Sequence, residues 1–478
     1  MQGRSDVVVI GAGLSGLAAA IKLVDAGVEA VTVLEAGPRV GGRTLNGAAG
    51  DTTLDEGATL VYPEHRYVLG LAKRFGVEVF ESGGQGRFLY SFDGTARTFT
   101  FGQTGSVRLL TAPLLRPVVR AVLALLSRWK ALPMPAADIT EPLSAVRQLD
   151  DLAASVPKAA PWSAPRADEL DQCTIGSWLD GAVGTRQARH FLESLFGYFP
   201  QTTSLLFALH FLNTWGGIGS LMSSRPVVLR FTRGAQALSL AMAESLGDRV
   251  VLEAPISAID RSSDGVTVHA GGTAYEADHV IVAISPAACR RIEFRPELPQ
   301  HRARLQDAWQ PVHGLKINVV YDQPFWRSAG LSGSALTDSD AAPGVLDASP
   351  PDASTGVLAC YTTDDPHDCD TARDCALRKV AVLETYADLF GAKALSPQHY
   401  SEKRWKDEPF QFGCEGGLSV GALTSARALL KAPVGRVHWA GVETADEWMG
   451  FMNGAVQAGE RAAEELIGNR GTGAGIIG

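Results

Sequence analysis

A glycine-rich turn directly after the first apolar segment constrains the fold of this chain more than any other feature. Residues Asp6 to Ile10 are followed by Gly11-x-Gly13-x-x-Gly16, by an apolar stretch with helical spacing from Leu14 to Asp25, and by a second apolar segment from Ala30 to Glu35. Strand, helix and strand in this order predict a βαβ unit with parallel strands and a right-handed crossover. We therefore expect a fold of the α/β class.

The spacing of the three glycines is typical of a turn that binds a dinucleotide. The first glycine permits the tight turn, the second lets phosphates approach the backbone, and the third lets the helix pack closely, with its N-terminus facing the phosphates. Glu35 ends the next predicted strand, where an acid can bind the ribose hydroxyls of an adenosine. Its charge disfavours the 2′-phosphate of NADP.

Two further glycine-rich segments favour FAD over NAD. The stretch Glu35-Ala36-Gly-Pro-Arg-Val-Gly41-Gly42-Arg43 places two glycines and a cation where they can approach the pyrophosphate and the flavin. Near the other end, a predicted strand from Arg436 to Ala440 is followed by a glycine-rich break and a predicted helix from about Phe451 to Ile467, whose N-terminus can face the same cofactor. An NAD enzyme has no need of these extra contacts.

Length, charge and cysteine content limit the remaining possibilities. A chain of 478 residues is longer than one compact unit usually is, so two domains are expected. The net charge of -9 disfavours nucleic acid as a partner. The six cysteines lack CxxC spacing, and the first strand begins too close to Met1 for a signal segment, so we expect a cytoplasmic protein. His367, Cys369 and Cys375 lack a fourth ligand, so no metal site is expected.

Residues Val107 to Trp129 combine apolar side chains at helical spacing with four arginines and two prolines. This composition predicts no transmembrane segment. We interpret the stretch as an amphipathic helix packed on its own domain, the alternative being a helix that binds a membrane surface or a partner.

Strand patterns recur late in the chain, at Arg249 to Ala254, Gly265 to His269 and His279 to Ile284, and these strands can join the first sheet. Leu132 to Pro165 and Asp338 to Asp370 are proline-rich and less periodic, and near them lie a predicted helix, Ile175 to Phe196, and a predicted strand, Lys316 to Tyr321. We interpret these parts as a second domain inserted twice into the first.

Ordered motifs along nearly the whole chain resemble the flavin-containing amine oxidase family, the monoamine oxidase-like enzymes. The first glycine turn, Lys316, Trp405 and the glycine-rich C-terminal segment all match the family. Further matching motifs are Gly41 to Arg43, Leu54 to Gly57, Pro161 to Pro165, Thr232 to Gln236 and Gly247 to Leu252. The resemblance implies a Rossmann-like FAD-binding domain (1–85, 227–295 and 395–470) with an inserted α+β substrate-binding domain (86–226 and 296–394) and a flexible tail (471–478).

The resemblance also implies which residues contact the cofactor, with Ile256 presenting its backbone to the adenine. The predicted cofactor-binding residues are Gly11, Gly13, Leu14, Ser15, Gly16, Glu35, Ala36, Gly41, Gly42, Arg43, Gly57, Ala58, Ile256, Trp405, Cys414, Gly441, Glu443, Gly450, Phe451, Met452 and Ala455.

The chemistry implied by the resemblance is the oxidation of a small primary or secondary amine. A hydride passes from the carbon next to nitrogen to flavin N5, water hydrolyses the imine, and O2 reoxidises the flavin to give H2O2. The pocket must favour the neutral amine, because a protonated nitrogen lacks the lone pair that the reaction needs. The sequence leaves open whether the protein forms a homodimer.

Lys316 and Trp405 are the two predicted catalytic residues that match the family. Lys316 lies in an apolar strand and is either an edge-strand lysine with its head in water or, by resemblance, the lysine that holds a water near flavin N5. Trp405 matches the family tryptophan that packs against the flavin; otherwise it is an ordinary core aromatic residue.

Two other predicted catalytic positions depart from the family. The two tyrosines of the family's aromatic cage are matched here by Glu415 and Phe451. A carboxylate at Glu415 can hold a cationic group of the substrate, act as a base, or reach solvent at the pocket mouth. Cys414 falls where some relatives attach FAD through sulfur; many relatives bind it without a bond, and we expect a noncovalent cofactor.

Three alternatives remain at this point. An L-amino-acid oxidase would need an arginine for the substrate carboxylate, for which Arg66 and Arg87 are available. A flavin-dependent desaturase or dehydrogenase in natural-product metabolism would pass electrons to an acceptor other than O2. A flavoprotein with a decayed catalytic cage would explain the missing tyrosines.

Overall fold

The computed structural model describes residues 4–83, 86–99, 136–195, 201–218, 228–363 and 372–471. The predicted amphipathic helix Val107 to Trp129, two of the residues considered for a metal site, His367 and Cys369, and the tail beyond residue 471 lie outside these ranges. No helix within them is long and apolar enough to cross a membrane.

An eight-stranded sheet is built from the beginning, the middle and the end of the chain. Its strands are Ser5–Ile10, Val31–Leu34, Val250–Val251, Ile256–Arg261, Val266–Ala270, Thr273–Val282, Glu293–Arg295 and Val437–Trp439. Ser5–Ile10 pairs in parallel with both Val31–Leu34 and Thr273–Val282, and the latter also pairs in parallel with Val437–Trp439. Parallel strands buried on both faces need continuous apolar sequence, which Val7 to Ile10 supplies.

Two helices from opposite ends of the chain pack together on this sheet. Leu14–Asp25 crosses Met452–Gly471 where Gly459 lies against the backbone of Ser15. A methyl group at Gly459 would stand 2.1 Å from the Ser15 carbonyl oxygen, so this close approach requires glycine. The crossing brings the two glycine-rich segments of the sequence to one edge of the sheet.

A second sheet of seven strands stands beside the first. Its strands are Arg87–Phe92, Thr95–Phe99, Gly314–Tyr321, Leu331–Thr337, Gly344–Asp347, Gly356–Thr363 and His399–Arg404. Gly314–Tyr321 runs antiparallel between Gly356–Thr363 and His399–Arg404. Helix Ala372–Phe390 shares an apolar core with this sheet through side chains such as Val382 and Tyr386.

The remaining elements are helices and short strand pairs. A group of helices with its own apolar core comprises Ala136–Ala154, Ala167–Gln172, Ile175–Ala182, Leu205–Thr214 and Ala422–Ala426, and Arg186–Leu195 adjoins it. Four further helices are Arg66–Arg74, Gln236–Leu246, Pro286–Cys289 and Gln300–Asp307. Short strand pairs join Asn46–Ala49 to Thr52–Asp55, Val79–Ser82 to Val228–Phe231, and Trp309–Val312 to Cys414–Leu418.

The α/β class and the first βαβ unit are confirmed, and the helix Leu14–Asp25 has the predicted bounds. One local expectation is wrong. The predicted helix Ile175 to Phe196 is two helices, because the amides of Gly184 and Thr185 donate to Glu141 instead of continuing the first helix. Two elements were not predicted: the helix Ala136–Ala154, which lies in the proline-rich stretch from Leu132 to Pro165, and the strand Ile256–Arg261, whose polar residues mask the alternation.

Candidate active site

The glycine turn opens on a large cavity at the carboxyl ends of the parallel strands. Gly11 adopts a φ of 98°, and a methyl group at Gly16 would stand only 1.9 Å from the Gly11 carbonyl oxygen, so the helix begins in direct contact with the strand. At Gly13 the nearest atoms to such a methyl group are 3.9 Å away. The turn is therefore packed tightly on its protein side and open beside Gly13, as phosphate binding requires.

Glu35 holds the turn from the neighbouring strand. Its buried carboxylate accepts hydrogen bonds from the amide of Ala12 at 2.7 Å and from the amide of Gly37 at 3.0 Å. The Glu35 carbonyl accepts from the amide of Ala254 at 2.8 Å, which brings the start of the strand at Ile256 to the same place. Glu35 and Ile256 both line the cavity, so the residues predicted to contact the ribose and the adenine of a dinucleotide lie near each other.

Arg43 follows two glycines with positive φ, 106° at Gly41 and 55° at Gly42. Its guanidinium donates to Glu443 Oε1 at 3.1 Å, and the Glu443 side chain is fully buried. Among the described residues, Glu443 Oε2 has no hydrogen-bond partner. A buried carboxylate is stable only beside a cation or a hydrogen-bond donor, and Arg43 supplies both to Glu443. The ion pair therefore connects the glycine-rich segment near Arg43 with the one that follows the strand Val437–Trp439.

The cavity has a volume of about 2070 Å³ and is continuous from the glycine turn to the second sheet. Most of the predicted cofactor-binding residues line it. They are Gly11, Gly13, Leu14, Ser15, Glu35, Ala36, Gly41, Gly42, Arg43, Gly57, Ala58, Ile256, Trp405, Cys414, Gly441, Gly450, Phe451, Met452 and Ala455. Gly16 and Glu443 support this wall through their contacts with Gly11 and Arg43.

These residues fit a flavin dinucleotide. The helix N-terminus and the open space at Gly13 suit a pyrophosphate, Glu35 suits a ribose, and the cavity of about 2070 Å³ has room for more than an adenosine diphosphate. Beyond the phosphate region the wall is formed by Gly57, Trp405 and Gly450, where a planar ring system can lie.

Lys316 lies in the strand Gly314–Tyr321, which has a neighbouring strand on each side, and is 1% exposed. Its Nζ donates to the Gly57 carbonyl at 3.1 Å and also to Thr59 Oγ1 and Tyr361 Oη. Burial lowers the pKa of Lys316 to about 7, because an ammonium loses its hydration inside the protein. Of the two interpretations left open by the sequence, the lysine with its head in water is wrong.

Trp405 is 5% exposed and forms part of the cavity wall. Its indole Nε1 donates to the Glu56 carbonyl at 2.9 Å, which fixes the ring. The ring reaches so close to Gly57 that a methyl group there would stand 2.8 Å from Trp405 Cζ2. Gly57 therefore contacts both the lysine and the tryptophan.

Cys414 and Glu415 begin the strand Cys414–Leu418, which pairs with Trp309–Val312. Cys414 is partly exposed and lines the cavity, opposite Val312 in the strand pair. The side chain of Glu415 lies outside the part of the structure that is described, so its predicted role stays a prediction.

Phe451 stands in an aromatic cluster that the sequence did not predict. Its ring centroid lies 4.9 Å from that of Trp215, 5.3 Å from His65, 5.6 Å from Trp448 and 5.9 Å from Tyr62. Tyr62, Trp215 and Phe451 line the cavity, so part of its wall is aromatic. Tyr62 and His65 follow closely after the motif Leu54 to Gly57, and this proximity was the one sequence feature that could have indicated the cluster.

His65 is fully buried, and neither of its ring nitrogens has a hydrogen-bond partner among the described residues. Burial lowers its pKa to about 3, so the ring is neutral at ordinary pH. The aromatic wall therefore carries no charge from this histidine.

One cavity whose walls combine residues suited to a dinucleotide with aromatic side chains is typical of an oxidoreductase that acts on a small organic molecule. Residues 14–467 match the model of the family described as flavin containing amine oxidoreductase. The chain belongs to this family and is an oxidoreductase of the flavin-dependent amine oxidase type.

Curated relatives support the same assignment. The chain is 35% identical over 468 residues to the putative flavin-containing monoamine oxidase AofH of Mycobacterium tuberculosis, covering 96% of each chain. It is 33% identical over 475 residues to amine oxidase [flavin-containing] A of Equus caballus, covering 97% of this chain and 85% of the relative.

Two solved structures show the same fold. The structure of cyclohexylamine oxidase from Brevibacterium oxydans superposes with a TM-score of 0.87 at 29% identity, covering 98% of this chain and 100% of the other. Wild-type putrescine oxidase bound to putrescine superposes with a TM-score of 0.86 at 28% identity, covering 98% and 99%.

Proposed function

We propose that this chain is an FAD-dependent oxidase of a small primary or secondary amine. It would transfer a hydride from the carbon next to nitrogen to flavin N5, release an imine that water hydrolyses, and pass the electrons to O2 to give H2O2. The observation that carries the proposal is the position of Lys316, buried beside Gly57, which also contacts Trp405, in a cavity that the glycine turn and aromatic side chains line as well.

When bound, FAD supplies the hydride acceptor. The chain would hold it with the amides at the start of helix Leu14–Asp25, with the Glu35 carboxylate at the ribose, and with the backbone around Gly41 and Gly42. Trp405 and Gly57 would border the ring system. We expect FAD to be held without a covalent bond, with Cys414 as the residue whose replacement tests this expectation.

The protein's own contribution to the reaction is a water-poor compartment that favours a neutral amine. Tyr62, Trp215 and Phe451 present apolar rings to the substrate, which removes hydration from a bound ammonium and favours its loss of a proton. We expect Lys316 to lie near the reacting carbon, and its lowered pKa of about 7 leaves much of it neutral at pH 7 and above.

The arginines considered for an amino-acid substrate are engaged elsewhere. Arg66 pairs with Glu447 at 2.6 Å on the exposed surface, and Arg87 donates to the Ala329 carbonyl at 3.1 Å. Neither arrangement suits a carboxylate bound in the aromatic compartment. Of the two arginines considered, neither therefore supports an amino acid as the substrate.

A panel of alkyl, arylalkyl and diamines, with amino acids for comparison, tests the proposal. Under anaerobic conditions the visible absorbance of the flavin should bleach with at least one amine, and admission of O2 should restore it with release of one peroxide per flavin. Free FAD mixed with the same amines is the control. If no amine bleaches the protein-bound flavin, the proposed function is wrong; bleaching without peroxide would indicate a dehydrogenase.

A further inference from the structure

The Lys316 amine is joined to the cavity by two hydroxyl groups. Its Nζ contacts Thr59 Oγ1 and Tyr361 Oη, and these two oxygens are 2.9 Å apart. Thr59 Oγ1 and Tyr361 Oη also lie 3.1 Å and 3.0 Å from the Gly57 carbonyl oxygen. Lys316 is 1% and Thr59 2% exposed, whereas Tyr361 is half-buried, and all three line the cavity.

The register of the second sheet creates this arrangement. Lys316 and Tyr361 are directly opposite each other on antiparallel strands, so their side chains leave the sheet on the same face. The Lys316 Nζ lies 4.2 Å from the centroid of the Tyr361 ring, a contact that stabilises a positive charge. Gly57 and Thr59 approach from a separate segment of the chain.

The Gly57 carbonyl and the hydroxyls of Thr59 and Tyr361 can form hydrogen bonds with Lys316 in both of its charge states. An ammonium has three protons, which match the Gly57 carbonyl and the two hydroxyl oxygens. A neutral amine has two protons and one lone pair, and a rotated hydroxyl of Tyr361 or Thr59 can donate to that lone pair. A proton can therefore enter or leave Lys316 without leaving a buried group unsatisfied.

We propose that the hydroxyl of Tyr361, supported by Thr59, is the proton path between Lys316 and a substrate ammonium in the cavity. The inference rests on the proposed amine oxidase function. In the step, an N–H bond of the substrate ammonium breaks and its proton binds Tyr361 Oη, while the original Tyr361 proton passes to Lys316 Nζ. The products are a neutral substrate amine and a lysine ammonium, and no electrons are transferred.

The groups that act on the charge of Lys316 come from several elements. Besides the ring of Tyr361, they are Asp55, Arg230, Cys360 and Cys414, together with Lys403 opposite Lys316 on the neighbouring strand, whose ammonium pairs with Glu408. Asp55 favours the charged lysine, whereas Arg230, which pairs with Asp55 at 3.1 Å, acts in the opposite direction. Burial therefore dominates, and the lysine is available as a base near pH 7.

Replacement of Tyr361 by phenylalanine tests the path, because it removes the hydroxyl and keeps the ring. In anaerobic stopped-flow experiments on the holoenzyme, the rate of flavin reduction at pH 7 should fall at least about tenfold. At a pH above the pKa of the free substrate ammonium, where the amine arrives neutral, Tyr361→Phe should approach the wild-type rate. A rate lowered equally at every pH would overturn the proposal, since it would indicate a packing effect alone.

Tyr321→Phe is the matched control. Tyr321 lies at the far end of the same strand as Lys316, and its buried hydroxyl donates to the Ala394 carbonyl at 3.0 Å. This variant also loses one buried hydroxyl, so it should lose stability while keeping the wild-type pH profile. Thr59→Val should shift the profile in the same direction as Tyr361→Phe, with a smaller effect.

A measurement that needs no turnover tests the same contact. In protein with ¹³C-labelled lysine, the Lys316 signal is identified by its absence from Lys316→Met and followed against pH. Loss of the Tyr361 hydroxyl removes an acceptor from the ammonium, so the titration in Tyr361→Phe should move to lower pH by about half a pH unit or more. An unchanged titration contradicts the proposal even if the wild-type protein oxidises amines. If wild type oxidises none, the proposed function itself fails.

Discussion

Replacement of Gly16 by alanine should prevent the first helix from docking on the first strand. The added carbon would stand 1.9 Å from the Gly11 carbonyl oxygen, and Gly11 C and Ala283 Cβ would lie at 3.1 and 3.3 Å. Carbon and oxygen atoms of this kind normally stay about 3.3 Å or more apart, so the helix would have to move by roughly 1.4 Å. The two nearest atoms belong to the Gly11 backbone and cannot turn aside, so the move disturbs the sheet, and we expect the free energy of unfolding to fall by about 3 kcal/mol or more.

Two other glycines provide matched alanine variants. At Gly13 the nearest atoms to the added carbon lie at 3.9 and 4.0 Å, and its φ of -75° suits any residue, so Gly13→Ala should fold normally without cofactor. It should nevertheless lose FAD affinity, by about 100-fold, because the methyl group fills the space for the pyrophosphate. Gly70 is exposed in helix Arg66–Arg74 with no atoms within 4 Å, so Gly70→Ala should stabilise by about 0.5–1 kcal/mol.

Urea unfolding of the flavin-free proteins, followed by circular dichroism, measures the changes in stability. Flavin absorbance per mole of protein measures the loss of FAD in Gly13→Ala. The reasoning is refuted if flavin-free Gly16→Ala unfolds within about 0.5 kcal/mol of wild type. It is equally refuted if Gly13→Ala retains wild-type FAD affinity, since the open side of the turn would then not face the phosphates.

Three further predictions concern single side chains. Glu35→Gln should lower the free energy of unfolding of the flavin-free protein by about 1–2 kcal/mol, since one amide oxygen cannot replace both acceptors of the Ala12 and Gly37 amides; an unchanged urea midpoint would contradict this. His65 is neutral when folded, with a pKa of about 3, and the unfolded chain binds a proton below about pH 6.5, so stability should fall as the pH decreases from about 6.5 towards 3. His65→Phe should make that fall shallower by up to about 1.4 kcal/mol per pH unit, and an equally steep fall would show that other groups cause it. Acid precipitation should leave the yellow colour in the supernatant for wild type and for Cys414→Ala alike; colour that stays with the wild-type pellet alone would establish a bond to Cys414.

Local sequence patterns were sufficient to predict the dinucleotide part of the fold. The glycine turn, its helix and the acid at Glu35 interact within the first few tens of residues, and each position has a requirement that few residue types satisfy. The same patterns failed where a helix ended through a distant contact, as at Gly184, whose amide donates to Glu141.

The burial of Lys316 could not be predicted from local sequence patterns. A lysine in an apolar strand is compatible with an exposed edge or a buried centre, and the choice depends on which strands pair on either side. Here Gly356–Thr363 and His399–Arg404 cover both edges, and the amine is buried against Gly57.

By itself, then, the sequence determined the class of fold and the kind of cofactor, because the turn chemistry of Gly11 to Gly16 is local. Only the tertiary structure brought Thr59 and Tyr361 to the Lys316 amine, across 257 and 45 residues of chain. It also assembled the aromatic wall around Phe451 from Tyr62, Trp215 and Trp448. Sheet register and helix packing set these distances, and both depend on the whole core rather than on any one segment.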